Sequence, residues 1–373
     1  MSFSADDHRH MGRALELAAR GLYTTDPNPR VGCVLVKGGT TVGEGWHERP
    51  GAPHAEALAL AAAGARARGA TAYVTLEPCA HQGRTPPCAD ALLASQVARV
   101  VCAGEDPNPL VHGQGINRLR TGGVTVEIGC LREAAEALNP GFLSRFRAGR
   151  PYVRVKIATS LDGRSALADG ASRWITGEPA RADVQRLRAR SSAVLTGAGT
   201  VRADNPRLTV RDPALSPTGR QPLRVILGGG RGVPASAHVF EAADGALVYT
   251  PDSRVAWARA VAARGVKVES VAEAESGRVQ LGAVLASLAR REVNELLVEA
   301  GATLSGALLG AGLVDELVLY QAPTLLGAMA RPLSEWPQLT AMEQRPQLRL
   351  VDLRQIGSDL RLILVPIARV ESS

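Results

Sequence analysis

Two successive runs of alternating extended and helical segments, parted by the Gly- and Pro-bounded stretch 139–151 (NPGFLSRFRAGRP), constrain this chain more than any other feature. Alternation of that kind builds a sheet covered by helices. At 373 residues the chain is also too long for one ordinary core. A break is therefore expected near 148, giving an α/β chain of two domains, 1–147 and 148–373. The first opens with a helix over 6–20, started by Ser4 and Asp7 as a capping box and ended by Gly21. Strands at 31–36 and 42–46, a helix over 54–63, a strand at 73–76, a helix over 89–95, and strands at 97–103 and 124–128 follow. The second begins with a strand at 153–159 and a helix opened by Pro179. Strands are then expected at 193–196, 223–227, 246–249 and 296–299, with helices over 281–290 and from Gly301 to 309. Strands at 316–322, 348–353 and 360–366 finish the pattern.

Hydrophobic residues make up 45% and charged residues 21%, the balance of a soluble globular protein. No apolar run reaches the roughly eighteen residues of a membrane span, and the first residues hold no apolar signal core, so a cytoplasmic protein is expected. The formal net charge is +7, but the basic residues are scattered, which argues against a nucleic-acid footprint. A few well-placed arginines would instead serve phosphorylated small molecules. The five cysteines, in a chain with no signal peptide, argue against a disulfide framework. Cys33, Cys102 and Cys130 lie among strand-like apolar residues and are expected in the core.

Cys79 and Cys88 have different surroundings. His54-Ala55-Glu56 begins a helix after Pro53, and Glu77-Pro78-Cys79 ends a strand. One imidazole and two thiolates are three zinc ligands, and the open fourth position marks a catalytic site. Zinc brings the pKa of a bound water to about 7, and Glu56, two residues after His54, is suited to move the protons. His-x-Glu followed by Pro-Cys and a second Cys is the general signature of zinc deaminases, which usually part the cysteines by two residues. Here residues 80–87 part them. Each residue alone also fits a bland role, His54 as a cap and the cysteines as core. His81 is a rival ligand, but its closeness to Cys79 would strain a chelate, so it is assigned to the loop.

The inserted loop, Pro78-Cys79-Ala80-His81-Gln82-Gly83-Arg84-Thr85-Pro86-Pro87-Cys88, resembles that of the bifunctional pyrimidine deaminase/reductase of bacterial riboflavin biosynthesis. Asn28-Pro29-Arg30-Val31-Gly32, His54-Ala55-Glu56-Ala57 and Asp106-Pro107-Asn108-Pro109 match that family too. The resemblance implies a cytidine-deaminase-like α/β/α sandwich that removes an amino group from a diaminopyrimidinone carrying ribosylamino 5′-phosphate. His54, Cys79 and Cys88 would hold Zn2+ and Glu56 would be catalytic, with Asn28, Arg84 and Thr85 as further substrate contacts.

The second half has no dinucleotide fingerprint: Gly228-Gly229-Gly230-Arg231-Gly232 lacks the spacing and leads into Val-Pro instead of a helix. Gly301-Ala302-Thr303-Leu304-Ser305-Gly306 follows a strand and opens a helix, which suits either tight packing or anion binding. Lys156-Ile157-Ala158-Thr159-Ser160-Leu161-Asp162-Gly163 resembles the opening strand of the family's dihydrofolate-reductase-like domain. Ser172-Arg173-Trp174-Ile175-Thr176, Thr200-Val201-Arg202-Ala203-Asp204-Asn205-Pro206 and Val298-Glu299-Ala300-Gly301 match as well. By this resemblance Ala158, Trp174, Thr200, Asp204, Gly301, Ala302, Thr303, Leu304, Ser305, Gly306 and Ala307 would contact NADPH. Ser172, Arg188, Leu208, Arg211 and Glu299 would hold the phosphorylated substrate, and hydride transfer to the sugar C1′ would open the ribose to a ribityl chain. Lys156 is either a group acting on the substrate or a solvated strand end, and Arg188 faces the same choice on its helix.

The expected partner is thus a phosphorylated pyrimidine, with no membrane or nucleic acid, in a homo-oligomer. The competing reading is a nucleic-acid-editing zinc deaminase with an unrelated C-terminal domain. The dispersed basic charge and an aromatic content of 3% stand against it.

Overall fold

Ser4 starts the first helix, α1 (Ala5–Ala19), as the capping box requires. Its hydroxyl accepts from the Asp7 N–H, and the Asp7 carboxylate accepts from the Ser4 N–H. The computed structural model describes residues 3–80, 87–228, 233–252, 255–274, 277–336 and 338–367. The chain divides into two compact units, Met1–Gly149 and Arg150–Ser373. In the first, α1 is followed by β1 (Gly32–Lys37), β2 (Thr40–Trp46), α2 (Ala55–Ala63), β3 (Thr71–Val74), α3 (Cys88–Ala94) and β4 (Arg99–Cys102). Next come α4 (Gln114–Thr121), β5 (Thr125–Ile128), α5 (Arg132–Leu138) and α6 (Pro140–Ala148). The sheet order is β2-β1-β3-β4-β5, with β1 antiparallel to both neighbours and β3, β4 and β5 parallel.

Strand alternation splits the core into two layers. Cys33 and Leu35 pack with residues of α2, α3 and α4, whereas Val34 and Val36 pack with α1 and α5. This is the expected α/β/α sandwich. Cys33, Cys102 and Cys130 are fully buried, as core residues should be. Glycines set how near the helices come. A Cβ at Gly43 would lie 2.2 Å from the Ala59 carbonyl oxygen, and one at Gly45 2.3 Å from that of Ala55. Only bare backbone lets α2 rest there.

In the first unit α4, α5 and α6 lie where the sequence showed only connections. α4 carries few apolar positions (Ile116 and Leu119 are buried), too few to display a period. α6 occupies the Gly/Pro-bounded stretch: Pro140 sits in its first turn, Phe142 and Leu143 are buried, and Gly149 ends it at φ 65°.

The second unit contains β6 (Tyr152–Ser160), β7 (Arg164–Ala166), α7 (Glu178–Arg190), β8 (Ala193–Gly197), α8 (Ala198–Asp204), β9 (Leu223–Leu227), β10 (Ala246–Thr250), α9 (Ala256–Ala262) and β11 (Lys267–Ser270). α10 (Leu281–Arg290), β12 (Glu295–Glu299), α11 (Ala302–Gly310), β13 (Glu316–Ala322), β14 (Arg331–Pro332), β15 (Leu348–Ile356) and β16 (Asp359–Pro366) complete it. The main sheet runs β11-β10-β9-β8-β12-β6-β13-β16-β15, parallel except for the antiparallel β16 and β15. Its central strands are buried on both faces, by α10 and α11 on one side and by α7, α8 and α9 on the other. Among the described residues no helix is long and apolar enough to cross a membrane.

The contact between α2 and β2 is directly testable. Gly45→Ala forces a methyl onto the Ala55 carbonyl, and overpacking of this kind costs about 1–3 kcal/mol. The expected result is a melting temperature several degrees below wild type for the first unit. Unchanged melting would show that α2 can move away freely.

Candidate functional site

The α2–β2 contact places His54 at the N-cap of α2, with extended backbone (φ −72°, ψ 163°) and no capping hydrogen bond from its side chain. Its ring is thereby free to turn toward the strand end after β3, where Cys79 lies. Cys88 is the first residue of α3, just after Pro87. The three ligand atoms lie within 4.8 Å of one another. His54 Nδ1 is 3.3 Å from the Cys88 sulfur and 3.6 Å from that of Cys79. The Cys88 N–H donates to the Cys79 sulfur at 3.4 Å, so the start of α3 favours a thiolate there. Hydrogen bonding from the Cys88 thiol holds Cys79 far below an ordinary thiol, while the same contact and burial push Cys88 up. An imidazole and two sulfurs, all unbridged by disulfides, make the donor set that zinc prefers, and the residues fit that ion.

Glu56 lies in the first turn of α2 and is only 3% exposed. Burial raises its carboxyl above the usual range, opposed by the His54 charge. A carboxyl raised in this way is suited to take up and release a proton. Residues 81–86 lie outside the described residues, and with them His81, Arg84 and Thr85. Asn28 is placed beside the centre: its amide meets His47 Nε2 at 3.0 Å, and the His47 ring stands edge-on to His54 at 5.4 Å. His47 Nδ1 in turn lies 3.2 Å from the Pro53 carbonyl oxygen.

Sequence reasoning passed over His47, and it read Glu77 only as part of a strand end. The Glu77 carboxylate is 4% exposed and accepts four backbone hydrogen bonds, from Asp106, Gly113, Gly115 and Ile116 at 3.0–3.2 Å. It thus satisfies the free N–H groups at the start of α4. A Cβ at Gly115 would come within 1.8 Å of the Pro78 carbonyl oxygen, so α4 presses directly on the turn that presents Cys79. These partners are about thirty to forty residues away in sequence, which is why no local pattern showed them.

The second site is a cavity of about 1810 Å³ in the second unit. It lies at the carboxyl ends of the parallel strands, where open α/β sheets bind ligands. Lys156, Ala158, Ser172, Trp174, Arg188, Thr200, Asp204, Leu208, Arg211 and Glu299 all line it, as do Gly301, Ala302, Thr303, Leu304 and Ala307. Ser305 and Gly306 do not. Ser305 is fully buried, and a Cβ at Gly306 would meet the Glu335 carbonyl oxygen at 2.1 Å, so both belong to the packing of α11.

Strand register sets Lys156 directly beside Glu299. Burial would raise the Glu299 carboxyl, but the Arg188 guanidinium outweighs it and holds the group ionised. That pair is bidentate, at 2.6 and 3.0 Å, and Arg188 also donates to the Thr209 carbonyl oxygen. Arg188 is therefore neither a surface charge nor a free phosphate clamp: its donors are engaged within the cavity wall. Lys156 is half-buried and hydrogen-bonds to nothing among the described residues, and burial lowers its amine below the ordinary value. It is not a solvated strand end. Trp174 is 68% exposed, with the Arg181 guanidinium 4.4 Å above its ring.

Comparison with known proteins gives each unit a family. Residues 4–104 match the cytidine and deoxycytidylate deaminase zinc-binding region, and residues 151–362 match the RibD C-terminal domain. The riboflavin biosynthesis protein RibD of Escherichia coli (strain K12) is 48% identical over 369 residues, covering 96% of this chain and 99% of that protein. The solved structure of Acinetobacter baumannii RibD, form 1, is 46% identical over 97% of this chain and 99% of its own, with a TM-score of 0.89. A diaminohydroxyphosphoribosylaminopyrimidine deaminase/5-amino-6-(5-phosphoribosylamino)uracil reductase from Thermotoga maritima superposes with a TM-score of 0.83, at 34% identity over 97% of this chain and 99% of that one.

Glu77→Gln tests the link between the Cys79 turn and α4. An amide can accept at one oxygen only, so it turns an NH2 group toward two of the four N–H donors, at a cost of about 1–3 kcal/mol. Zinc should then leave faster to a chelator while reduction in the second unit is unchanged. A wild-type release rate would show that α4 does not support the Cys79 turn.

Proposed function

Because the chain belongs to the RibD family, in which one polypeptide carries a deaminase and a reductase of riboflavin biosynthesis, we propose the following division of labour among its residues. The two reactions are zinc-dependent hydrolytic deamination of 2,5-diamino-6-ribosylamino-4(3H)-pyrimidinone 5′-phosphate and NADPH-dependent reduction to 5-amino-6-ribitylaminouracil 5′-phosphate. The first is assigned to 1–147 and the second to 148–373, a division supported by the parting of the compact units at Gly149.

The observation that carries the deaminase assignment is the convergence of three N/S donors beside a buried carboxylate. His54, Cys79 and Cys88 hold the zinc, which when bound supplies a water acidified to a pKa of about 7 at the open fourth position. Glu56 takes a proton from the attacking water and delivers it to the departing amino nitrogen. A C–O bond forms, the C–N bond breaks, and ammonia leaves. Asn28, held by His47, faces the pyrimidine.

In the second unit NADPH supplies the hydride. Ala158, Trp174, Thr200, Asp204 and the start of α11 from Gly301 to Leu304, with Ala307, cradle it, while Ser305 and Gly306 act only by holding α11 in place. Ser172, Leu208, Arg211 and the Arg188–Glu299 pair position the sugar phosphate. Lys156 would supply the proton that the ring oxygen needs when C1′ is reduced and the C1′–O bond opens to a hydroxyl. The lowered pKa and free hydrogen-bonding capacity of the amine support that role.

Self-association is assigned to β15, the last strand of the sheet. Leu350, Val351 and Leu353 on it are each about half exposed, an apolar row on a free edge that a second copy would cover.

Two experiments test these readings. Glu56→Ala should keep its zinc, lose ammonia release by at least a hundredfold, and still oxidise NADPH when given the deaminated intermediate. Loss of both activities in a folded, zinc-loaded variant would contradict two separate sites. The double substitution Val351→Lys with Leu353→Lys should halve the mass measured by light scattering, whereas an unchanged mass would remove β15 from the interface.

A further inference from the structure

NADPH differs from NADH only by a phosphate on the adenosine 2′-oxygen, and none of the residues assigned above reads that group. The cavity walls show which cations are available for it. Arg173 donates to the Asp204 carbonyl oxygen, Arg181 to that of Thr176, and Arg207 is paired with Glu241. Arg188 is held by Glu299, Arg331 reaches the Ala168 carbonyl oxygen, and Arg202 also has a partner. The side chains of Arg211 and Arg278 line the cavity with no hydrogen-bond partner among the described residues.

These two stand at different ends. Arg211 shares its surroundings with Arg188 and Glu299, whose charges act on it, and so belongs to the reducing end. Arg278 belongs to a small hairpin between β11 and α10. An isolated bridge from Glu273 to Val279 closes that hairpin, and Val279 is buried in the core. The Ala274 N–H donates to the Arg278 carbonyl oxygen at 2.7 Å, so the base of the side chain is held. The segment adjoins the end of β10 through the Val271 N–H and the Thr250 carbonyl oxygen, 3.1 Å apart, and Thr250 and Pro251 line the same cavity.

Sheet order supplies the distance. From β6, which carries Lys156, to β10 there are four strand-to-strand steps, through β12, β8 and β9. At about 4.8 Å each this is roughly 19 Å, the scale of a dinucleotide laid across the strand ends. The N-terminus of α11, beside β12 and between the two ends, lines the cavity where the diphosphate of such a ligand would fall. With the nicotinamide at Lys156, the adenosine half reaches the ends of β9 and β10.

We propose that Arg278 is the residue that selects NADPH over NADH, by a charge-assisted contact to the 2′-phosphate at the β10 end of the cavity. The proposal rests on the assignment of this cavity to the dinucleotide. Glu273, across the bridge on the same hairpin, is not paired with Arg278 in the structure and would disfavour the phosphate once the guanidinium is gone.

The test compares ligands first and variants second. On wild type, calorimetry with adenosine 2′,5′-bisphosphate and with ADP should show the former binding at least tenfold tighter. Equal affinities would overturn the proposal without any variant. If neither nucleotide nor NADPH bound at all, the cavity assignment itself would fall instead. In Arg278→Gln the KM for NADPH should rise about tenfold to a hundredfold, while the KM for NADH moves less than twofold. Arg278→Lys, which keeps a charge but no planar fork, should fall between. An unchanged NADPH-to-NADH ratio in both variants would place the selecting group elsewhere, as would an equal rise for both cofactors in Arg278→Lys.

Discussion

How closely α2 can lie on β2 determines whether the metal centre exists at all. His54 and Glu56 are rigidly related, because one caps α2 and the other occupies its first turn. Cys79 and Cys88 reach them from β3 and α3, through a sheet whose register is set by β1. Side chains at Gly43 or Gly45 would lift α2 by an ångström or more, and imidazole–sulfur distances of 3.3 and 3.6 Å would open by a similar amount. Zinc–ligand bonds of about 2.0–2.3 Å tolerate little of that. The donors also need the ion. Hydrogen bonding from Cys88 lowers the Cys79 thiol, while the same contact and burial raise that of Cys88. Both become thiolates only when a positive charge is shared between them.

The second unit solves a different problem. Its cavity is lined by groups from many elements, and some of them serve the wall itself. The ion pair between Arg188 and Glu299 is mostly buried, which would be costly without the bidentate geometry that the two residues achieve. Because Arg188 neutralises Glu299, Lys156 is left beside a carboxylate whose charge is already shared. Burial then dominates the amine and lowers its pKa. A lysine fully paired with Glu299 would be held charged. The geometry of α7 thus tunes a group on β6.

This difference explains what could be read from the sequence. The grouping of His54, Cys79 and Cys88 was legible because metal ligation demands particular residue types at helix starts and strand ends, and Glu56 drew notice by lying two residues after His54. Strands buried on both faces, such as β8, announced themselves as apolar runs. Glu77 was not legible, since a carboxylate after a strand has the same appearance whether it is solvated or caps a distant helix. For α4 the missing signal was the same one, because what starts that helix is Glu77 and not a local cap. Arg188 was ambiguous for a related reason. In sequence it alternates with Arg186 and Arg190, and only tertiary placement separates the exposed Arg186 from Arg188, paired with Glu299, and Arg190, paired with Glu295.

The turn at Gly301 left two readings open, tight packing or anion binding, and the helix that follows is built in a way that is compatible with both. Ala302, Thr303 and Leu304 form the first turn, whose N–H groups have no partner within the helix, and all three line the cavity. Ser305 and Gly306 begin the next turn on the opposite side. There Gly306 lies against the Glu335 backbone, and the Glu335 N–H donates to the Ala302 carbonyl oxygen at 3.0 Å. The segment at 335 therefore clamps α11 by its buried side and leaves its first turn lining the cavity. An anion site made of backbone N–H groups gains its strength from groups that cannot move. In α11 the glycine that permits the packing is what fixes the donors, so any anion bound there would rely on that packing.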